Sequence, residues 1–202
     1  MSLGGVILCG GRSSRFGSEK AIAELDGRPL VAIVAEGLCA SCNRVCVSAP
    51  AGCGAARWAM SGGLEVISDG QGPHRGPLFG VLAGLRWAES LNIDLMVTAP
   101  CDVPDLPFDF VSRLAAAPGA RRGAVAANER GEIQPLCALW PRAARAGLEA
   151  ALSAGGHPAV RDLLKDLGFQ KVAFDEPGAF LNVNTPVDLN GVRARTVAAT
   201  GF

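Results

Sequence analysis

The stretch that most constrains this chain is Leu8 to Lys20, LCGGRSSRFGSEK, entered from the apolar run Gly5-Val6-Ile7-Leu8. An unbroken apolar run reads as a strand buried on both faces, and so as part of a parallel sheet. It breaks at Gly10-Gly11, where the missing Cβ atoms let the backbone come close to a ligand. Successive N–H groups in such a turn form an anion-binding concavity. Arg12, Arg15 and Lys20 follow, three cations within nine residues, enough to neutralise a triphosphate. The plain alternative is a solvated, glycine-rich surface loop. The ATPase pattern G-x-x-x-x-G-K-[ST] fails, because Ser18 and Glu19 separate Gly17 from Lys20. The dinucleotide fingerprint G-x-G-x-x-G and the hydrolase elbow G-x-S-x-G are absent as well.

Strand-like and helix-like patterns then alternate, which predicts an α/β sheet covered on both faces. Strands are expected at Val6–Cys9, Arg44–Ser48, Leu64–Ile67, Asp94–Thr98, Ala124–Ala127, Leu136–Trp140 and Lys171–Phe174. Helices are expected at Leu30–Cys39, Leu78–Leu91, Pro107–Ala116, Arg142–Ser153 and Ala159–Leu167, with a further start at Thr185. Asp26-Gly27 marks a turn. No repeat or linker divides the chain, so one domain over 1–202 is expected. In open sheets of this kind ligands collect beyond the carboxyl ends of the parallel strands. The stretches after Leu8, Ile67 and Thr98 would meet at that edge.

Lys plus Arg and Asp plus Glu are equal, at 19 each, so no long-range field gathers nucleic acid or an anionic membrane. Phosphate binding must then be local, and neither nucleic acid nor membrane is an expected partner. No apolar run is long enough to span a bilayer, and no secretory leader is visible, so a cytoplasmic protein is expected. Of seven cysteines, Cys39 and Cys42 form one C-x-x-C pair, but no second pair or spaced histidines complete a zinc site.

Several residues could carry chemistry, each beside a plainer reading. Asp102 follows a buried strand, where a carboxylate needs a partner; a Mg²⁺ site and a turn carboxylate are equally good readings. Asp69 could accept from a base or a ribose, or open an Asx turn. Lys20 is a point charge suited to phosphate and Arg15 a forked donor, while Arg12 reads as a surface cation. Asn182 and Asn184 alternate around Val183 and could read a heterocycle's edge or satisfy a turn. Arg161 could face a phosphate or lie exposed on its helix. Gly76–Gly84, GPLFGVLAG, reads mainly as close helix–sheet packing.

The Leu8–Lys20 stretch resembles the nucleotidyltransferase signature L-x-G-G-x-x-x-R-[MF]-G-x-x-K, in the form found in the molybdenum cofactor guanylyltransferases. Further stretches agree in order: Asp69 before Gly76-Pro77-Leu78-Phe79-Gly80, then Pro100-Cys101-Asp102-Val103-Pro104, Gln134-Pro135 and Asn182-Val183-Asn184-Thr185-Pro186. The resemblance runs from Val6 to Leu189. It implies a single Rossmann-like nucleotidyltransferase domain that moves GMP from GTP to the terminal phosphate of molybdopterin and releases pyrophosphate. It also implies Mg²⁺ (or Mn²⁺) on Asp102, and catalysis by Lys20, Asp102 and Arg15. Leu8, Cys9, Gly10, Gly11, Lys20, Ser48, Asp69 and Asp102 would meet the nucleotide, and Asn182, Asn184 and Arg161 the molybdopterin. Proteins that insert molybdenum or accept the finished cofactor are further implied partners. Ser48 stands where these enzymes often carry asparagine, Cys9 where alanine is usual and Phe16 for a common methionine. The nearest rival is a CTP:molybdopterin cytidylyltransferase, whose first loop tends to read L-A-A-G. A nucleotide-binding assembly factor that no longer catalyses is the rival from another class.

Overall fold

Val6, Ile7 and Leu8 are almost fully buried, because they lie in the middle of a sheet with helices on both sides. The computed structural model describes residues 2–10, 19–68, 76–153, 158–185 and 188. In chain order the elements are β1 (Leu3–Leu8), β2 (Glu24–Leu25), β3 (Arg28–Pro29), α1 (Leu30–Cys39), β4 (Arg44–Ser48), α2 (Gly54–Ser61), β5 (Glu65–Ile67) and α3 (Pro77–Ser90). They continue with β6 (Leu95–Pro100), α4 (Phe110–Ala116), β7 (Ala124–Ala127), β8 (Ile133–Pro141), α5 (Ala144–Ser153), α6 (Val160–Asp166) and β9 (Gln170–Ala173). A single 3₁₀ turn, Lys20–Ile22, precedes β2.

The main sheet has the order β5-β4-β1-β6-β8-β7-β9. Strand β8 pairs antiparallel with both β6 and β7, while the remaining neighbours pair parallel. The result is the expected mostly parallel α/β sheet. Strands β2 and β3 form a separate small hairpin. Its turn, Asp26-Gly27, has φ of 53° and 75°, the left-handed pair that a two-residue hairpin turn requires.

Two elements go beyond the sequence-based expectation. The hairpin strands flank a turn that was foreseen only as a turn. Helix α2 was not foreseen; it supplies the crossover that parallel neighbours β4 and β5 need. Elsewhere the differences are of element ends. Helix α4 begins at Phe110 because Pro107 accepts from the Phe110 N–H in a turn instead of opening the helix.

Side chains divide by strand face. Ile7, Val47 and Val97 pack against α1, α2 and α4, while Val6, Cys46 and Met96 pack against α3, α5 and α6. Helix α3 lies very close to the sheet. A Cβ on Gly84 would sit 2.8 Å from Met96 Sδ and 2.9 Å from Val6 Cγ2. The buried Thr98 hydroxyl donates to the Leu136 carbonyl at 2.7 Å and accepts from Trp140 Nε1 at 3.0 Å, so a polar group inside the sheet is satisfied. Among the described residues no helix is long and apolar enough to cross a membrane.

Candidate active site

Strands β1 and β6 are adjacent, yet the chain leaves them toward opposite sides of the sheet: β4 and β5 lie beyond β1, and β8 lies beyond β6. A reversal of this kind opens a crevice at the carboxyl ends of the strands. The two ends are in register, with Leu8 opposite Pro100. Each is extended by one bonded residue: Cys9 N–H donates to the Ser48 carbonyl at 2.8 Å, and Cys101 N–H to the Leu8 carbonyl at 3.1 Å. A hydrogen bond to Cys101, together with burial, pushes the Cys9 thiol well above its ordinary pKa, so it is an inert neighbour to the site and no nucleophile.

Lys20 and Asp102 meet in this crevice. Lys20 Nζ donates to Asp102 Oδ2 at 2.7 Å and to Asn184 Oδ1 at 2.7 Å. The two charged side chains are only 15% and 24% exposed, a setting in which water screens less than at an open surface.

Asn184 arrives from far along the chain and is held there by its neighbours. Asp188 Oδ2 accepts the N–H groups of Asn184 at 2.7 Å and Thr185 at 2.8 Å, and Asp188 N–H donates to Thr185 Oγ1 at 3.3 Å. This is a reciprocal helix-start box of the expected type. Its bond from Asn184 N–H is the largest influence holding the Asp188 carboxyl below the usual range, and the Lys20 charge adds to it. The segment itself is laid along the loop after β6. Phe180 N–H donates to the Asp105 carbonyl at 3.2 Å and Val183 N–H to the Asp102 carbonyl at 2.8 Å. Val183 is fully buried against Leu25 and Leu30, which fixes the segment's depth.

The other expected residues are placed in different ways. Gly10 and Asn182 are exposed near these strand ends and free to meet a ligand from solvent. Arg161 lies at the start of α6, exposed, and donates to the Ile133 carbonyl at 3.2 Å. Ile133 begins the antiparallel strand β8, so this contact lies at the same edge of the sheet as the carboxyl ends of β6 and β7. Leu8 turns its side chain into the core beneath α3, which leaves only backbone for a ligand.

Ser48 requires a correction. It is 1% exposed, and a Cβ on Gly80 would sit 2.9 Å from its Oγ. The hydroxyl lies between β4 and α3, and the carbonyl is taken by Cys9. Ser48 therefore offers no exposed side chain to a nucleotide base. Gly11, Arg12, Arg15 and Asp69 lie outside the described residues.

One residue was missed. Glu19 turns its carboxylate onto the start of α2, where Oε2 accepts from Gly54 N–H at 2.5 Å and Oε1 from Ala55 N–H at 2.7 Å. Burial raises its pKa, but the two N–H bonds outweigh that and hold it below the ordinary value. The available signal was an acid directly beside a lysine expected to meet phosphate, a pairing that calls for an explanation.

Among the described residues no three His, Cys, Asp or Glu side chains cluster to hold a metal. Asp102, one accessible carboxylate beside a lysine, suits a Mg²⁺ that draws its remaining ligands from phosphate oxygens and water.

Residues 5–172 match the MobA-like NTP transferase domain model. A protein of Cereibacter sphaeroides named molybdenum cofactor guanylyltransferase is 43% identical over 191 residues, covering 94% of each chain. One of the same name from Acidiphilium cryptum is 38% identical, covering 94% of this chain and 93% of its own. Among solved structures, molybdopterin-guanine dinucleotide biosynthesis protein A from Archaeoglobus fulgidus superposes with a TM-score of 0.75 at 21% identity, covering 96% of this chain and 99% of its own.

Proposed function

Because the chain belongs to the MobA-like NTP transferase domain family, we propose that it is a molybdenum cofactor guanylyltransferase. It takes GTP and molybdopterin and yields molybdopterin guanine dinucleotide and pyrophosphate. The observation that carries this reading is the convergence of Lys20, Asp102 and Asn184 at the β1/β6 crevice.

The reaction asks for placement and neutralised charge more than for proton transfer. A phosphate monoester has its second pKa near ~6 and is largely dianionic at neutral pH. An oxygen of the molybdopterin phosphate forms a bond to the α-phosphorus of GTP, the bond from that phosphorus to the bridging oxygen breaks, and pyrophosphate departs. No base is needed, which suits a crevice whose described side chains are a lysine, a carboxylate and an amide. Lys20, with Arg15 and the Gly10 and Gly11 amides, holds the triphosphate. Asp102 would hold Mg²⁺ (or Mn²⁺), which neutralises charge on the departing pyrophosphate when bound. Asn184 and Asn182, with Arg161 at the rim, face the molybdopterin, and Asp69 meets the base or ribose. The seven free thiols fit a cytoplasmic setting.

Pyrophosphate release from GTP, CTP and ATP in the presence of molybdopterin and Mg²⁺ tests the reading. Release with GTP well above the other two is the expected result. Preference for CTP would move the chain to the cytidylyl branch, and tight GTP binding without release would make it an assembly factor.

A further inference from the structure

An anion directly before a phosphate-binding lysine is poorly placed, since it repels the ligand the lysine attracts. Glu19 escapes this because both its oxygens are used elsewhere. They accept from Gly54 N–H at 2.5 Å and Ala55 N–H at 2.7 Å, at the positive end of the α2 helix. The fit is close enough to dictate the partner residue. A Cβ on Gly54 would lie 2.8 Å from Glu19 Oε2 and 2.7 Å from Ile22 Cγ1.

The same residue also starts the backbone turn that carries Lys20. The Glu19 carbonyl accepts from Ile22 N–H at 3.1 Å, and the Lys20 carbonyl from Ala23 N–H at 3.0 Å. Lys20 is thus fixed at its base by Glu19 and at its tip by Asp102 and Asn184. A lysine stem is long and flexible, so its value to a ligand depends on ordering achieved before binding.

Resting on the reading of a GTP site, we infer that Glu19 is a positioning residue that anchors Lys20 to helix α2 and presents it to the triphosphate. Glu19 touches no substrate; it acts through Lys20. The competing account makes Glu19 a helix cap and nothing more. Cys53 Sγ accepts from Ala56 N–H at 3.4 Å and its thiol also bonds the Glu19 carboxylate, so it belongs to the same anchor.

GTP affinity in the presence of Mg²⁺, measured by titration calorimetry alongside melting temperature, tests this. Glu19→Ala should weaken GTP binding about tenfold, the scale of one charge-assisted hydrogen bond. Glu19→Gln keeps the length but offers one accepting oxygen, and should fall between; it is read by the same criteria if Glu19→Ala does not fold. In a Lys20→Ala background the Glu19 substitution should add less than about twofold, because its path runs through Lys20. Unchanged affinity in both Glu19 variants, or a full penalty persisting without Lys20, would overturn the inference. Absence of GTP binding by the unaltered protein would sink the parent reading, and this inference with it.

Discussion

Lys20 and Asp102 are 82 positions apart in the chain, and their charged atoms are 2.7 Å apart in the fold. The contact joins the loop leaving β1 to the end of β6, the two strands between which the sheet order reverses. It also makes each group the other's counter-ion, so that neither charge sits half-buried and unpaired.

Removing the carboxylate tests the centre of the proposed chemistry. Asp102→Ala should lower GMP transfer by about 10²–10³-fold or more, the cost of losing a charged group that acts on developing negative charge. Asp102→Asn keeps size and the backbone contact to Val183 and should be comparably inactive. Circular dichroism should show both variants folded, with the loss confined to pyrophosphate release.

Asp188 supports Asn184 by accepting its backbone N–H at 2.7 Å. Asn184→Ala and Asp188→Ala should therefore share a phenotype, a fall in kcat/KM for molybdopterin of about tenfold, within the range of a lost oriented hydrogen bond. The double variant should be no worse than either single by more than about twofold. Steady-state kinetics with molybdopterin varied would decide it, and multiplicative losses would count against a shared path.

Glu19 and Asp188 both have folded-state pKa values held below the ordinary ones. The unfolded chain then binds more protons as pH passes below the unfolded values near ~4, so their contribution is fully present above that range and lost as pH falls through the folded values. Melting temperature should drop as pH is lowered from about 5 to about 3. Glu19→Gln and Asp188→Asn should each flatten that acid limb, and thermal melts across the interval would show it. An unchanged limb in both would refute the assignment.

Helix α3 offers a test of packing. Gly84→Ala places a methyl within 2.8 Å of Met96 Sδ and 2.9 Å of Val6 Cγ2. Overpacking at such a site costs about 1–3 kcal/mol. For a chain of this size that corresponds to a fall in Tm of several degrees, at about 2–4 °C per kcal/mol. Differential scanning calorimetry would register it, and an unshifted Tm would mean that α3 can move away from the sheet.

Much of this architecture was readable from local pattern. Leu30–Cys39, Arg44–Ser48 and Ala124–Ala127 appear as elements with the bounds their apolar spacing predicts. That Lys20 and Asp102 lie close together was readable because each belongs to a segment leaving a buried strand, and strand ends in such sheets converge. What was not readable depends on partners distant in sequence. Helix α2 is short and rich in alanine and glycine, and its start is capped by Glu19, 35 positions earlier. The burial of Ser48 depends on Gly80 lying above it, which no pattern around Ser48 reveals. Asn184 reads from the sequence as a residue for the second substrate or for the local turn. Its bond to Lys20 places it between both proposed half-sites, a fact that only the packing of Val183 on Leu25 and Leu30 brings about.

The depth at which Val183 is buried has a consequence for how the protein is born. A growing polypeptide on the ribosome holds Lys20 and Asp102 well before Asn184 has been made, and the sheet strands through Ala173 precede it as well. Of the three side chains that meet at the crevice, Asn184 is therefore synthesised last, and Val183 can settle on Leu25 and Leu30 only after every strand of the described sheet has been made.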